Sequence, residues 1–195
     1  MKNHLQILVS LQNLQLRQAS GTSDRALVTT SGRLNTVAHV YQHVGMDGSS
    51  LERVSFSNAG DSIMQSLERA WCERRPGTEI RWRFDELDLE TNRAVPLALI
   101  LGELVTNAYE HGHHDGTASE IQVRLAIKPK KNVGVLIVAN NGGKMPKGTG
   151  SKPGLGLAIA ETLAEQIGGT FRPDPERKPE FRVVFPLKPG IDEPT

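Results

Sequence analysis

Glu103 and Asn107 stand four residues apart in a run otherwise rich in Leu, Ile, Val and Ala, so on a helix they project from one face. Asn offers a neutral carbonyl oxygen suited to a hard cation such as Mg2+, and a neighbouring Glu has the chemistry to orient or deprotonate a nucleophile. Taken alone, the pair reads first as an ordinary wet helix edge. Three further segments add weight: Asn140-Asn141-Gly142-Gly143, Gly154-Leu155-Gly156-Leu157 at the mouth of a helical pattern, and the stretch over residues 144–153 between them. Glycines at 154 and 156 would let backbone N–H groups approach a phosphate at the positive end of a helix. A lone Gly-x-Gly is weak, since a loop that merely needs two glycines accounts for it as well. The dinucleotide fingerprint fails, because no strand runs directly into Gly154 and Ile159 takes the third glycine's place; a Walker-type phosphate loop is also missing. His111, His113, His114 and Asp115 suggest a metal site only weakly, because such a cluster in a polar loop is more often solvated.

The elements that must position these residues fall into two groups. Residues 5–17 and 27–44 read as helices joined by a polar turn of Ser20, Gly21, Thr22, Ser23 and Asp24. In the second, Leu27, Thr30, Leu34, Val37, Tyr41 and Val44 form a heptad seam. The first is apolar on several faces, which two helices alone cannot cover. A homodimer pairing two hairpins into a four-helix bundle is the simplest solution. Residues 45–58 read as a polar connector. Beyond it come a helical face of Ile63, Leu67, Ala70 and Trp71, a strand over 79–84, a helix over 93–111, strands over 121–127 and 133–139, a helix over 157–167 and a last strand over 181–185. The expected class is α+β, a helical hairpin over residues 1–47 followed by an α/β sandwich over 55–190.

Composition excludes several functions. The 195 residues carry a formal net charge of +1, which leaves no excess to neutralise nucleic acid or an anionic bilayer. The single cysteine, Cys72, rules out an internal disulfide and a four-thiolate zinc site, so a reducing, cytoplasmic setting is expected. No apolar run is long enough to span a bilayer, and no signal peptide is visible at the start. Aromatic content of 5% suits aliphatic helix seams better than a sheet-rich core.

In order, these segments resemble the sensor histidine kinase core, with its Bergerat-fold ATPase domain. The likeness is nearest to the subgroup whose dimerisation helix carries His-Arg-x-Lys-Asn-x-Leu-Gln (HWE/HisKA_2-like). Lys2-Asn3-His4-Leu5-Gln6 is similar to the tail of that motif, Arg33 and its heptads to the second dimerisation helix, residues 95–108 to the Asn-containing helix, and residues 154–157 with Gln166-Ile167-Gly168-Gly169 to the second glycine motif and the helix after it. The resemblance implies ATP and Mg2+ as cofactors, Asn107 as Mg2+ ligand and Glu103 as polariser of the attacking histidine. It also implies Asn140 at the adenine-reading position, and Gly142, Gly154, Leu155 and Gly156 around the nucleotide. The implied partners are a second copy of the chain and a response-regulator receiver domain; from the charge balance no nucleic acid is expected, and no membrane within this chain.

Several positions depart from that pattern. The alignment puts the family's phosphoacceptor histidine two residues before Met1, so the chain as given is expected to lack its own. His4 lies in register with Ile7, Leu11 and Leu14 and reads as structural, as do His39 and His43. Asn140 stands where Asp is usual, Lys144 replaces a glycine, Glu110 replaces a Lys or Arg, and Pro179 replaces a Thr. Asn keeps one acceptor but adds donors that need partners, and an inward-facing Glu110 would repel a triphosphate. Weakened nucleotide binding is the expectation. Two other functions remain open: a degenerate phosphotransfer protein or pseudokinase without ATP turnover, and an anti-sigma-type serine kinase, which residues 106–112 also resemble but which lacks a heptad hairpin.

Overall fold

The computed structural model describes residues 23–45, 52–72, 77–111, 119–141, 155–174 and 180–188. They form helices α1 (Ser23–Gln42), α2 (Phe56–Cys72), α3 (Thr91–His111) and α4 (Leu155–Gln166). The strands are β1 (Val44–Gly45), β2 (Arg53–Ser55), β3 (Thr78–Phe84), β4 (Asp88–Glu90), β5 (Ser119–Lys128), β6 (Val133–Asn140), β7 (Thr170–Asp174) and β8 (Glu180–Pro186). This is the expected α+β mixture. The helix expected over residues 5–17 lies outside the described residues, as do His4, His113, His114, Gly142, Lys144, Gly154 and Pro179.

Five strands make the main sheet in the order β3-β5-β6-β8-β7, with β3 parallel to β5 and the other neighbours antiparallel. Strand β6 alternates strictly, burying Gly134, Leu136, Val138 and Asn140 on the face that carries the helices. The same period therefore carries a polar residue, Asn140, into the core. Strand β7 escaped sequence expectation because it is short and contains Pro173. Its edge position tolerates a proline, which has no N–H to give a second neighbour.

Helix α3 is buried from Ala94 through Leu101 and again at Leu104, Val105, Ala108 and Tyr109. A helix apolar on every side has to lie inside the molecule, and α3 packs on β5 and β6 with α1, α2 and α4 around it. Tyr109 stacks on Trp71 of α2 with ring centroids 4.2 Å apart and donates its hydroxyl to the Trp71 carbonyl at 3.0 Å. At the other end Arg93 donates to the carbonyls of Leu187 and Pro186, fastening the end of β8. Burial pulls the Arg93 pKa below the ordinary guanidinium value, with Glu90 opposing.

The heptad seam of α1 does not hold together as one face. Val37 is buried with Arg33, Thr36 and Val40 on a stripe turned toward α3, whereas Leu34 and Tyr41 stay 53% and 36% exposed. Helix α1 stops at Gln42 instead of 44 because Val44–Gly45 pairs with Arg53–Ser55, which in turn pairs with β4. The expected polar connector is thus partly strand. Val54 and Phe56 alternate inward and are fully buried, and the Glu52 carbonyl accepts from both the N–H and the hydroxyl of Thr91.

Gly134 shows how tightly the sheet is filled: a Cβ there would collide with the buried Phe185 ring. Overpacking of this kind costs about 1–3 kcal/mol. Gly134→Ala should therefore lower the thermal unfolding midpoint by several degrees, and an unchanged midpoint would contradict this packing.

Candidate functional site

Glu103 lies on α3 facing α1 and α4. Its Oε1 accepts a hydrogen bond from Arg33 Nε at 2.7 Å, and the two side chains are only 11% and 7% exposed. Its other oxygen rests against the first turn of α4, where a Cβ on Gly156 would come within 2.8 Å of Oε2. Helix α4 begins at Leu155, two residues earlier than expected, so Gly156 is helical and its missing side chain makes room for the Glu103 carboxylate. Three helices therefore converge on one carboxyl group.

One turn further along α3, Asn107 is half-buried. The next residue, Ala108, offers its carbonyl to Asn140 Nδ2 at 3.4 Å. Asn140 is 4% exposed, and its Oδ1 has no hydrogen-bond partner. Reversing the amide would set two acceptors against each other, so the Ala108 contact supports the orientation with Oδ1 free. A buried amide acceptor without a donor costs about 1–3 kcal/mol, which marks the position as one a ligand can satisfy. The complementary group is an N–H donor such as an exocyclic amine on a heteroaromatic ring. The Asn107 amide oxygen suits a hard divalent cation, and the first turn of a helix such as α4 suits an anion. The residues present thus fit a magnesium-bound purine nucleotide.

The structure brings Glu103 and Gly156 into contact and places Asn140 against the residue that follows Asn107. Leu155, half-buried, packs on the core beside them. Gly142 and Gly154 fall outside the described residues. Glu110 is exposed rather than buried against the site. His43 is engaged by Ser62 at 2.9 Å, as a structural histidine would be. Among the described residues no group of three His, Cys, Asp or Glu side chains could hold a metal.

Sequence reasoning missed the part Arg33 plays. The signal was available: Arg33, Thr36, Val37 and Val40 repeat at helical spacing beside the heptad seam, and such a second stripe marks a second buried face. Between α1, α2 and α3 lies a cleft of about 410 Å3, lined among others by Arg33, Thr36, His39, Trp71, Glu103 and Thr106.

The pattern of the family described as histidine kinase-, DNA gyrase B- and HSP90-like ATPase matches residues 92–189, and that described as histidine kinase matches residues 1–71. The sensor histidine kinase PdtaS of Mycobacterium tuberculosis is 30% identical over 193 residues, which are 97% of this chain and 38% of that protein. Blue-light-activated histidine kinase 2 of Erythrobacter litoralis is 23% identical over 172 residues, 86% of this chain and 49% of that protein. The chain spans less than half the length of these curated relatives. The solved histidine kinase domain of the Erythrobacter litoralis EL346 blue-light activated histidine kinase superposes with a TM-score of 0.76 at 20% identity, covering 96% of this chain and 89% of that one. That likeness shows the fold, helices on a mixed sheet of the Bergerat type.

The contact between Glu103 and Gly156 makes their effects non-additive. Gly156→Ala should lower the unfolding midpoint in the wild-type background, by forcing the carboxylate away from Arg33, and have no further effect in Glu103→Ala. Equal effects in both backgrounds would show that the carboxylate does not occupy the space left by Gly156.

Proposed function

The chain belongs to the histidine kinase family, and we propose that it carries the core of a two-component sensor kinase, a dimerising helical hairpin over residues 1–47 and an ATP-binding domain over 55–190. The observation that carries this reading is the buried, partnerless Oδ1 of Asn140, held beside the α3 turn that bears Asn107. Mg-ATP, when bound, supplies the transferable γ-phosphoryl group and the cation that offsets its charge.

Every other element of the mechanism belongs to the chain's own residues. Asn140 Oδ1 accepts from the adenine amine while its Nδ2 remains on the Ala108 carbonyl, so one of the extra donors that Asn brings in place of Asp already has a partner. Asn107 is the Mg2+ ligand. The family pattern puts Gly142, Gly154, Leu155 and Gly156 around the nucleotide, and the N–H groups at the start of α4 suit its negative charge. Glu103 orients the attacking imidazole and favours its nucleophilic nitrogen. Phosphoryl transfer leaves little covalent work for the protein, so positioning and charge neutralisation dominate. The phosphoryl group passes to the phosphoacceptor histidine of the dimerisation helix, at the position the family motif puts two residues before Met1, and then to an Asp of a response-regulator receiver domain.

A second copy of the chain completes the bundle. Leu34 and Tyr41, exposed one heptad apart on α1, support such a pairing. Among the described residues no helix is long and apolar enough to cross a membrane. The single cysteine supports a reducing, cytoplasmic setting.

Calorimetric titration with Mg-ADP tests the nucleotide reading. Wild type should bind saturably, and Asn140→Leu, which removes the acceptor, should weaken binding by about tenfold, equivalent to about 1.4 kcal/mol. Absence of binding at millimolar ligand, or equal affinity in the variant, would contradict it. The oligomer is tested by sedimentation: Leu34→Asp should shift the chain from dimer to monomer, and an unchanged sedimentation profile would place the pairing elsewhere.

A further inference from the structure

We propose that Arg33 is a positioning residue for Glu103: from the hairpin helix it fixes one carboxylate oxygen and thereby presents the other to the reacting groups. The inference rests on the reading of Glu103 as the group that orients the attacking imidazole. A glutamate has three rotatable bonds, and a carboxylate left to sample them would spend little time in any one productive geometry. Here the freedom is removed from two sides. Arg33 Nε holds Oε1 at 2.7 Å through a charge-assisted hydrogen bond from the buried arginine to a largely buried carboxylate. On the other side the missing Cβ of Gly156 leaves a slot that Oε2 occupies.

The form of the contact points to orientation rather than to stability. An arginine that serves only to neutralise a buried carboxylate gains most by engaging both oxygens with its fork and leaving no donor orphaned. Arg33 engages Oε1 through Nε and leaves Nη1 buried without a partner. Oε2 lies at the first turn of α4, where the phosphates lie in the nucleotide reading. Arg33 is itself anchored, because Thr36, Val37 and Val40 on the same stripe of α1 are buried in the core. Glu103 is therefore set by the hairpin, and the nucleotide site is complete only while α1 lies against α3.

The test compares Mg-ADP affinity with the rate of self-labelling from γ-labelled ATP in the full-length protein and its Arg33 variants. Arg33→Gln should lower kcat by about tenfold or more, since small misplacements of a catalytic group cost factors of this size, while KM for ATP and the Kd for Mg-ADP stay within about twofold. Lysine restores the charge and a single donor on a less rigid stem, so Arg33→Lys should lower kcat by only about threefold at unchanged KM. Should Arg33→Gln fail to fold, the kcat and KM of Arg33→Lys decide alone. An unchanged kcat in the folded variants overturns the proposal, as does a fall in kcat matched by an equal loss of Mg-ADP affinity. Wild-type protein that binds Mg-ADP but transfers no phosphoryl group overturns the role of Arg33 and leaves the nucleotide reading standing; wild-type protein that binds no nucleotide overturns both.

Discussion

Helix α3 is buried along almost its whole length, and a helix in that position can carry polar groups only where another element supplies their partners. Several such groups on α3 accordingly tie down a neighbour. Arg33 brings α1 to Glu103, Asn140 brings the end of β6 to the Ala108 carbonyl, and the Tyr109 hydroxyl reaches the Trp71 carbonyl at the end of α2. Arg93, in the first turns of the same helix, holds the chain where β8 ends. Gly156 of α4 completes the set by omission, since its missing side chain is what lets α4 close over Glu103. The arrangement of helices around the sheet thus follows from satisfying a few polar groups on one apolar rod.

Energetically these contacts are asymmetric. A buried ion pair contributes little against a well-packed apolar substitute, yet removing one partner costs about 3–5 kcal/mol because a charge is left alone in the interior. The Arg33–Glu103 pair therefore specifies where α1 sits more than it strengthens the fold. The unsatisfied atoms are informative in the same way. Arg33 Nη1, His39 Nδ1 and Asn140 Oδ1 are the buried side-chain polar atoms without partners among the described residues. Two of the three belong to residues of the candidate site, and the third lines the cleft that reaches Glu103.

Much of this was legible in the sequence, and the failures have physical causes. The α3 pattern stands out because its apolar residues fill every face, β3 because alternation with a wet face is a strong signal, and β6 because it is a short apolar run that follows a polar turn. Asn140 closes β6 one residue beyond the strand expected over 133–139, and its burial and its free oxygen depend on the strand's register against the helix layer, which local sequence does not carry. Strands β1, β2 and β4 have two or three residues each, too few for a period to be read, and exist because they pair with one another. The heptad seam on α1 was real as spacing and incomplete as structure. Val37 serves the α3 interface and Leu34 does not, a division set by how α1 rolls on α3. Arg33 was seen as part of a helix and not as part of a site, because its partner lies 70 residues away.

Asn140 and the adjacent turn of α3 form the proposed place where a nucleotide base is read. Titration of the isotopically labelled chain with Mg-ADP, followed by amide and side-chain NMR, tests it most directly. The Asn140 side-chain amide and the backbone amides of 103–108 and 155–157 should shift together along one saturating curve, while β3, at the far edge of the sheet, stays unperturbed. Shifts confined to other parts of the chain, or none at millimolar Mg-ADP, would contradict it.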